Sequence, residues 1–334
     1  MERHRLVPGL AVLAGGALLA RTIGDAIGFN ALLVAIALGF VLVNTVGIPD
    51  GLERGIGTHT IWLGAGIVLM GASLTLETVL DVGGLVLLVV ALVTSLTILV
   101  VEGLARNVFG LADRFGSLLA AGAGICGVSA VVAVAGAIRA REEHVAYAAA
   151  TVLLFDAITI VVYPVVGDVL GLSDVVFGVW AGVSMFSTGP VVAVGFAHSE
   201  VAGQWATMTK LARNALIGVV VLAYASFYAR SRGDSAEASG SSGLPLRTLW
   251  DEFPKFVLGF LALMAVASLG LLTPEQEASI ENAYNWLFLV AFVGLGTEIR
   301  FADLRNTGMT PALVVLLAFA LVSVVSLGIL VVLL

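Results

Sequence analysis

The sequence predicts an all-α polytopic membrane protein with about 9 to 11 transmembrane segments. Three observations lead to this fold class: the composition, a series of long apolar runs, and two Gly- and Ser-rich stretches within those runs. Apolar residues make up 60% of the chain and charged residues 12%, and the mean hydropathy is +1.08. A soluble domain has roughly 25% charged residues. The composition therefore leaves no room for a large soluble domain.

Apolar windows place the segments, and a polar interval divides them into two groups. The windows lie near residues 6–20, 27–47, 59–74, 83–101, 117–138, 145–166, 172–198, 207–229, 253–272, 283–297 and 310–334. The first run lacks a convincing cleavage site, and we interpret it as a retained helix. Residues 230–247 are rich in Gly and Ser, which is typical of a flexible linker. We expect a membrane part at 1–229 that contains both Gly-rich stretches, and three C-terminal transmembrane helices at 248–334 that pack on the same bundle.

The two Gly-rich stretches are similar to each other. Residues 121–134 and 181–194 are identical at six of fourteen aligned positions. Membrane helices that are interrupted in two halves of a chain build solute sites, because backbone groups outside the helical ladder can face a polar cavity. We therefore predict two discontinuous or re-entrant helices in an inverted repeat.

Arginine in short loops predicts the orientation. Simple alternation with a cytoplasmic N-terminus leaves Arg139 and Arg141 on the outer side, against the positive-inside rule. The conflict disappears if 117–138 and 172–198 re-enter from opposite faces. The alternative is that both stretches cross, kinked at glycine and proline, and the sequence leaves both topologies open. In either case we expect a multi-pass protein of the cell membrane.

A carboxylate lies near the middle of a predicted span. Asp156 is about eleven residues into its segment, and at an offset of 58 residues it aligns with Asn214. A charged group at the centre of a bilayer costs about 2.5 to 3.5 kcal/mol on insertion scales, so such residues usually mark ion pathways. We predict that Asp156 is the ion-coupling residue. The alternative is a structural ion pair with Arg213.

The polar residues near the breaks are candidates for binding a solute. Lys210, Arg213 and Asn214 share one helix face, and Arg can hold an oxoanion with paired donors. Half-helix N-termini favour anions as well, although small residues also serve helix packing in bilayers. The predicted substrate-binding residues are Gly124, Gly127, Ser129, Ser184, Ser187, Thr188, Gly189, Arg213 and Asn214.

The chain resembles a known family of membrane proteins. The resemblance begins at residues 124–130 and continues through Glu142-Glu143, residues 172–182 and 210–214, and Gly294-Leu295-Gly296. These motifs are similar to the YeiH or UPF0324 family of sulfate exporters. The resemblance implies sulfate export and a relation to the cation-proton antiporter and anion transporter superfamily, whose members use discontinuous helices in inverted repeats.

Two positions depart from the pattern of that family. Residues 185–190 replace a His-Asp pair and Ser-Gln of the family with Met-Phe-Ser-Thr-Gly-Pro. Asp156 stands where family members tend to have Asn. A polar pair is lost and a carboxylate is gained, so the substrate of this chain need not be that of its relatives.

Several functional classes find no support in the sequence. The net charge of −7 argues against nucleic-acid binding, and Cys126 is the only cysteine. Histidine spacing suggests no metal site, and phosphate-binding loops and nucleophile elbows are missing. We expect no enzyme activity and no cofactor.

The sequence thus predicts a secondary transporter of a small anion, sulfate or a sulfonate-like compound. The alternative is a sodium or proton antiporter that uses Asp156, and a third is a channel or a scaffold that transports nothing. The expected partners are the anion, a coupling proton or sodium ion, and membrane lipid. Substrate identity, direction of transport, coupling ion and oligomeric state stay open, with a homodimer as one alternative.

Overall fold

The computed structural model describes residues 6–74, 76–231, 254–305 and 308–334. This part of the chain is built from helices, as expected for an all-α membrane protein. The helices are α1 (Val7–Ile27), α2 (Ala31–Thr45), α3 (Asp50–Ile56), α4 (His59–Met70), α5 (Leu76–Gly103), α6 (Asp113–Gly124), α7 (Val128–Ile138), α8 (Glu142–Leu170), α9 (Asp174–Ser184), α10 (Thr188–His198), α11 (Glu200–Asn214), α12 (Ile217–Ser231), α13 (Phe256–Ser268), α14 (Pro274–Glu298), α15 (Phe301–Arg305) and α16 (Met309–Leu333).

Local sequence signals fix several of these helix ends. Asn30 accepts hydrogen bonds from the backbone N–H groups at the start of α2, and Ser199 does the same for α11. Thr273 and Gln276 form a capping box at the start of α14. These side chains satisfy donors that the first helical turn leaves unpaired.

Six helical stretches of the described chain are long and apolar enough to cross a membrane: Val7–Ile27, Asp50–Ser73, Gly83–Val108, Glu142–Leu170, Glu200–Arg230 and Met309–Leu333. The remaining apolar helices are shorter. The predicted segment at 207–229 lies within the stretch Glu200–Arg230, in which α11 ends at Asn214 and α12 begins at Ile217. Of the predicted linker at 230–247, all but Arg230 and Ser231 lie outside the described residues.

The first Gly-rich stretch is a re-entrant hairpin. Helix α6 ends at Gly124 and α7 begins at Val128, with three residues between them. Arg114, at the start of α6, donates to the carbonyl oxygen of Arg139, just after α7, at 3.1 Å. The two ends of the stretch therefore lie side by side, and the segment does not cross from one end of the bundle to the other.

The second Gly-rich stretch doubles back in the same way. Helices α9 and α10 are separated by Met185–Ser187. His198, at the end of α10, lies 3.6 Å from Asp174, at the start of α9, and its ring stacks on Phe177 with 4.0 Å between centroids. Both stretches thus have the re-entrant topology, and the crossing alternative is not what the structure shows.

The hairpins enter the bundle from opposite ends of α8. His144, near the start of α8, stacks on Phe115 of the first hairpin. Asp168, near its other end, lies 3.8 Å from His198 of the second hairpin. Because α8 has 29 residues and rises about 1.5 Å per residue, it separates the two hairpin bases by roughly 40 Å. The two repeats therefore have opposite orientations, as an inverted repeat requires.

The helices form two bundles. The frame bundle comprises α1–α4, α13 and α14, and the hairpin bundle comprises α5–α12 and α16. Within the frame bundle, α2 and α14 cross closely: a Cβ atom on Gly39 would overlap the carbonyl oxygen of Val293, and one on Gly296 would overlap that of Ile36. The C-terminal helices divide between the bundles, since α13 and α14 pack on α4 while α16 packs on α5, α8 and α9. The bundles contact each other where α10 meets α2 and α14 and where α13 meets α5, and the short helix α15 packs on α8.

Candidate functional site between the hairpin tips

The tips of the two hairpins meet beside the middle of α8. A Cβ atom on Gly127 of the first tip would overlap the Oγ atom of Ser187 in the second. Gly127 has φ 75° and ψ −136°, a conformation that favours glycine. Ser187 donates its backbone N–H to Oδ1 of Asp156 at 3.0 Å. The carboxylate of α8 thus caps the start of α10.

Arg213 of α11 binds the C-terminal ends of α6 and α9, which point away from the contact between Gly127 and Ser187. Its guanidinium donates to the carbonyl oxygens of Ala123, Gly124 and Met185, with Nε–O and Nη1–O distances of 2.6 Å for the last two. The side chain is fully buried. The last carbonyl groups of a helix have no intrahelical donor, so Arg213 satisfies groups that the breaks leave open in both hairpins.

Lys210 does the same one helical turn earlier. Its Nζ atom donates to the carbonyl oxygens of Ile125 at 2.7 Å and Met185 at 3.1 Å. Lysine is also fully buried at this position. Because the C-terminal end of a helix carries a partial negative charge, both cations lie where the dipoles of α6 and α9 favour them.

The opposite helix ends, the N-termini of α7 and α10, open on a cavity of about 530 Å³. The hairpin bundle forms one wall and the frame bundle the other. The hairpin-bundle wall consists of Cys126, Val128, Ser129, Leu153, Asp156, Ile160, Ser187, Thr188, Gly189, Pro190, Asn214 and Ile217. The frame-bundle wall includes His59, Thr60, Leu63, Gly64, Ile67, Phe256, Ala291, Phe292, Leu295, Glu298 and Ile299. None of the described residues that line this space is a lysine or an arginine.

Two buried oxygen atoms in this cavity wall have no hydrogen-bond partner. Asp156 is 3% exposed and Asn214 is 4% exposed. Oδ2 of Asp156 and Oδ1 of Asn214 are both unpartnered, although Nδ2 of Asn214 donates to Oγ1 of Thr188 at 2.9 Å. An unpaired buried acceptor costs about 1–3 kcal/mol. The two atoms therefore favour a proton, a cation or a donor group of a solute.

The structure brings six of the predicted site residues into one place. The cavity is lined by Ser129, Asp156, Ser187, Thr188, Gly189 and Asn214. Gly124 and Gly127 lie behind this wall, where they pack against Ile98 and Ser187. Arg213 is also outside the lining, and the structural ion pair with Asp156 considered from the sequence is not observed.

Ser184 belongs to a separate polar cluster away from the cavity. Its Oγ atom lies 2.7 Å from the Tyr163 hydroxyl, which lies 3.0 Å from the Ser323 hydroxyl of α16. Ser184 also donates to the carbonyl oxygen of Trp180. These contacts attach the second hairpin to α8 and α16. The residue serves packing in this structure and does not face the cavity.

Sequence reasoning missed the polar residues of the frame bundle. His59 and Glu298 line the cavity opposite Asp156, and His59 Nε2 lies 3.2 Å from Glu298 Oε1. The sequence places both residues at the polar ends of their segments. A similarity between residues 62–73 and 286–297 is a weak signal that α4 and α14 belong together. Among the described residues no group of His, Cys, Asp and Glu could hold a metal ion.

Comparison with known proteins gives consistent matches along the chain. The family model described as "Conserved hypothetical protein 698" matches residues 8–315. A UPF0324 membrane protein of Nitratidesulfovibrio vulgaris is 34% identical, with 83% of this chain and 76% of the relative covered. Proteins of the same description from Bacillus cereus and Pseudomonas aeruginosa are 31% and 29% identical, covering 83% and 95% of this chain and 79% and 91% of their own lengths.

One solved structure also aligns along the whole chain. It is the sodium proton antiporter MjNhaP1 from Methanocaldococcus jannaschii at pH 8, with 16% identity and a TM-score of 0.31. The alignment covers 99% of this chain and all of the other.

Proposed function

Since the chain belongs to the UPF0324 family of membrane proteins, we propose that its two opposed hairpins form the solute site of a secondary transporter. The supporting observation is the contact of the hairpin tips beside a cavity that contains a buried carboxylate. Irregular backbone at the level of the membrane is stable only where protein or a water-filled cavity surrounds it. Such broken helices, repeated with inverted orientation, are typical of transporter binding sites.

The solute that we propose is a small anion, sulfate or a sulfonate-like compound. The N-termini of α7 and α10 both face the cavity, and each presents unpaired N–H groups and a positive dipole end. Asp156 already occupies the start of α10 through its bond to Ser187. The start of α7, at Val128 and Ser129, has no such carboxylate and is the better place for the anion. A cavity of about 530 Å³ has room for a solute of this size with some water.

Asp156 is the proposed coupling group of this transporter. Asp156 and Asn214 both line the cavity, and each has a buried oxygen without a hydrogen-bond partner, which a proton or a sodium ion would satisfy. Binding of that cation neutralises the carboxylate and strengthens the attraction of the helix N-termini for an anion. The same residue can thus link the movement of the cation to that of the anion. Arg213, which binds backbone carbonyl groups, keeps the hairpins in place and has no part in holding the solute.

A second candidate is a sodium or proton antiporter. Two buried acceptor oxygens in the cavity, together with a lining without lysine or arginine among the described residues, favour a cation. In this case the N-terminus of α7 would serve only to offset the charge of Asp156. Thermal unfolding of the purified protein with a series of sulfate and sulfonate compounds, against sodium and lithium at several pH values, separates the candidates. Stabilisation by the anions alone, or by the cations alone, identifies the class.

The transporter proposal is tested with Asp156→Asn in proteoliposomes. An amide cannot take up a proton at this position, so we expect the pH-dependent part of the solute flux to be lost while the protein stays folded. Asp168→Asn is the matched control, because Asp168 lies on the same helix with its side chain 77% exposed. Wild-type protein should show saturable flux and counterflow. Unchanged pH dependence in Asp156→Asn would remove the coupling role, and a complete lack of wild-type flux would contradict the transporter.

A further inference from the structure

His59 of α4 lies between two hydrogen-bond acceptors. Its Nδ1 atom is 3.1 Å from the carbonyl oxygen of Ile56, and its Nε2 atom is 3.2 Å from Oε1 of Glu298. The side chain of His59 is 8% exposed, whereas that of Glu298 is 44% exposed. One end of the pair is therefore buried against α3 and the other is open to the cavity.

The carbonyl oxygen of Ile56 and the carboxylate of Glu298 determine how many protons the His59–Glu298 pair holds. A neutral imidazole carries one N–H and can donate from one nitrogen only. The second nitrogen would then place its lone pair against an acceptor oxygen. An imidazolium donates from both nitrogens and forms an ion pair with the Glu298 carboxylate as well. The geometry thus fits a pair that holds one proton more than neutral histidine with ionised glutamate.

The position of the ring is fixed by the crossing of α4 and α14. A Cβ atom on Gly294 would overlap Cβ of His59 and come within 2.5 Å of Cγ, so the backbone of α14 lies directly against the imidazole. Gly294 and Glu298 are one helical turn apart on α14. The same helix therefore confines the ring and supplies its carboxylate partner, and neither contact depends on a mobile segment.

We propose that His59 and Glu298 form a second proton-binding site of the cavity, in addition to Asp156. The role of this site in transport rests on the proposed transporter function, whereas its ability to bind a proton does not. On release, the proton leaves Nε2 for the solvent in the cavity, and the remaining N–H of Nδ1 stays bonded to the Ile56 carbonyl. The pair then changes from no net charge to one negative charge.

The second site is electrostatically linked to the first. The described residues of the cavity lining that can titrate are the two members of the pair, on α4 and α14, Cys126 between α6 and α7, and Asp156 on α8. The carboxylate of Asp156 interacts with that of Glu298. Loss of the proton from the pair adds a like charge opposite Asp156, which favours a cation or proton there. Because one site belongs to the frame bundle and the other to the hairpin bundle, a relative movement of the bundles changes this interaction.

The protonation state is measured by nitrogen NMR of the full chain labelled with [15N]histidine in detergent micelles. The signals of His59 are identified by their loss in His59→Gln. We expect both ring nitrogens of wild-type His59 to carry a proton at a pH at which only one of them is protonated in Glu298→Gln. Glu298 is half-exposed, so this variant should fold. A wild-type ring with a single proton from neutral to mildly acidic pH would overturn the proposal.

The role in transport is measured separately, as the number of protons moved per solute in proteoliposomes. We expect the number to fall by one in His59→Gln and in Glu298→Gln. His144→Gln is the matched control, since His144 stacks on Phe115 away from the cavity. An unchanged stoichiometry in both pair variants would overturn the coupling of this site. If wild-type protein shows no flux at all, the proposed function fails, whereas the NMR result still decides whether the pair holds the proton.

Discussion

Arg213 binds the tips of both hairpins although it lies outside the lining of the cavity. It is fully buried and donates to carbonyl groups of both hairpins. Without it the carbonyl groups of Ala123 and Gly124 would lose this donor in a site away from water. The cation thus stabilises both helix breaks, and Lys210 shares the Met185 carbonyl and adds a bond to that of Ile125.

Arg213→Ala should therefore destabilise the protein strongly. The change leaves the buried carbonyl oxygens of Ala123 and Gly124 without this donor, at about 1–3 kcal/mol each, whereas Met185 still accepts from Lys210. We expect the free energy of unfolding to fall by at least about 2 kcal/mol, measured as the midpoint of unfolding in detergent. Arg141→Ala, at an exposed position before α8, is the control and should change little. Equal midpoints for the two variants would show that the carbonyl contacts contribute nothing.

The sequence identifies the types of residue near the site better than it identifies their roles. Asp156 was expected to face a cavity, because a carboxylate within an apolar span is costly elsewhere, and it does line one. Arg213 was expected to bind an anion, because its charge was evident while its partners were not. The carbonyl groups at the end of a broken helix also need donors, and this physical requirement was the available signal for its actual contacts.

At the scale of helices, the two re-entrant hairpins depend on small residues at their tips. Gly127 has positive φ and lies against Ser187, so the tips can approach only because the residue has no side chain. The breaks themselves were predictable, since clusters of Gly, Ser and Pro interrupt otherwise apolar runs. Whether the stretches crossed or re-entered was not, because this depends on contacts between residues such as Arg114 and Arg139 that lie far apart in sequence.

Gly127→Ala should weaken the contact between the tips. An L-residue in this backbone conformation costs about 1–3 kcal/mol, and here its Cβ atom would also overlap Ser187 Oγ. We expect a lower midpoint of unfolding in detergent and reduced solute flux. Gly136→Ala in α7 is the matched control, because a Cβ atom there meets open space and alanine favours a helix. The prediction fails if Gly127→Ala unfolds at the same midpoint as wild type.

At the scale of the whole molecule, the cavity lies between two bundles of different construction. The frame bundle is held by the close glycine-mediated crossing of α2 and α14, whereas the hairpin bundle contains both broken segments. The polar residues of the frame wall could not be found from the sequence, because His59 and Glu298 are separated from the broken stretches by many residues. Only the packing of α4 and α14 brings them opposite Asp156.

A movement of one bundle against the other should change access to Cys126. This residue is the single cysteine of the chain and lines the cavity, so the native protein can be labelled with a thiol reagent without introducing or removing a cysteine. We expect a membrane-impermeant thiol reagent to modify it in vesicles of one orientation faster than in the other, and a transported solute to change both rates. Cys126→Ser is the control for labelling. Rates that are independent of orientation and of solute would contradict alternating access.

Lys210 and Arg213 attach α11 to the tips of both hairpins. Lys210 and Arg213 bind the ends of α6 and α9 at once, so they hold the two hairpin tips together. A continuous water path between the two membrane surfaces would require the tips to separate. That separation would break several buried hydrogen bonds together. For the transporter proposed above, this arrangement would limit passive leakage of ions.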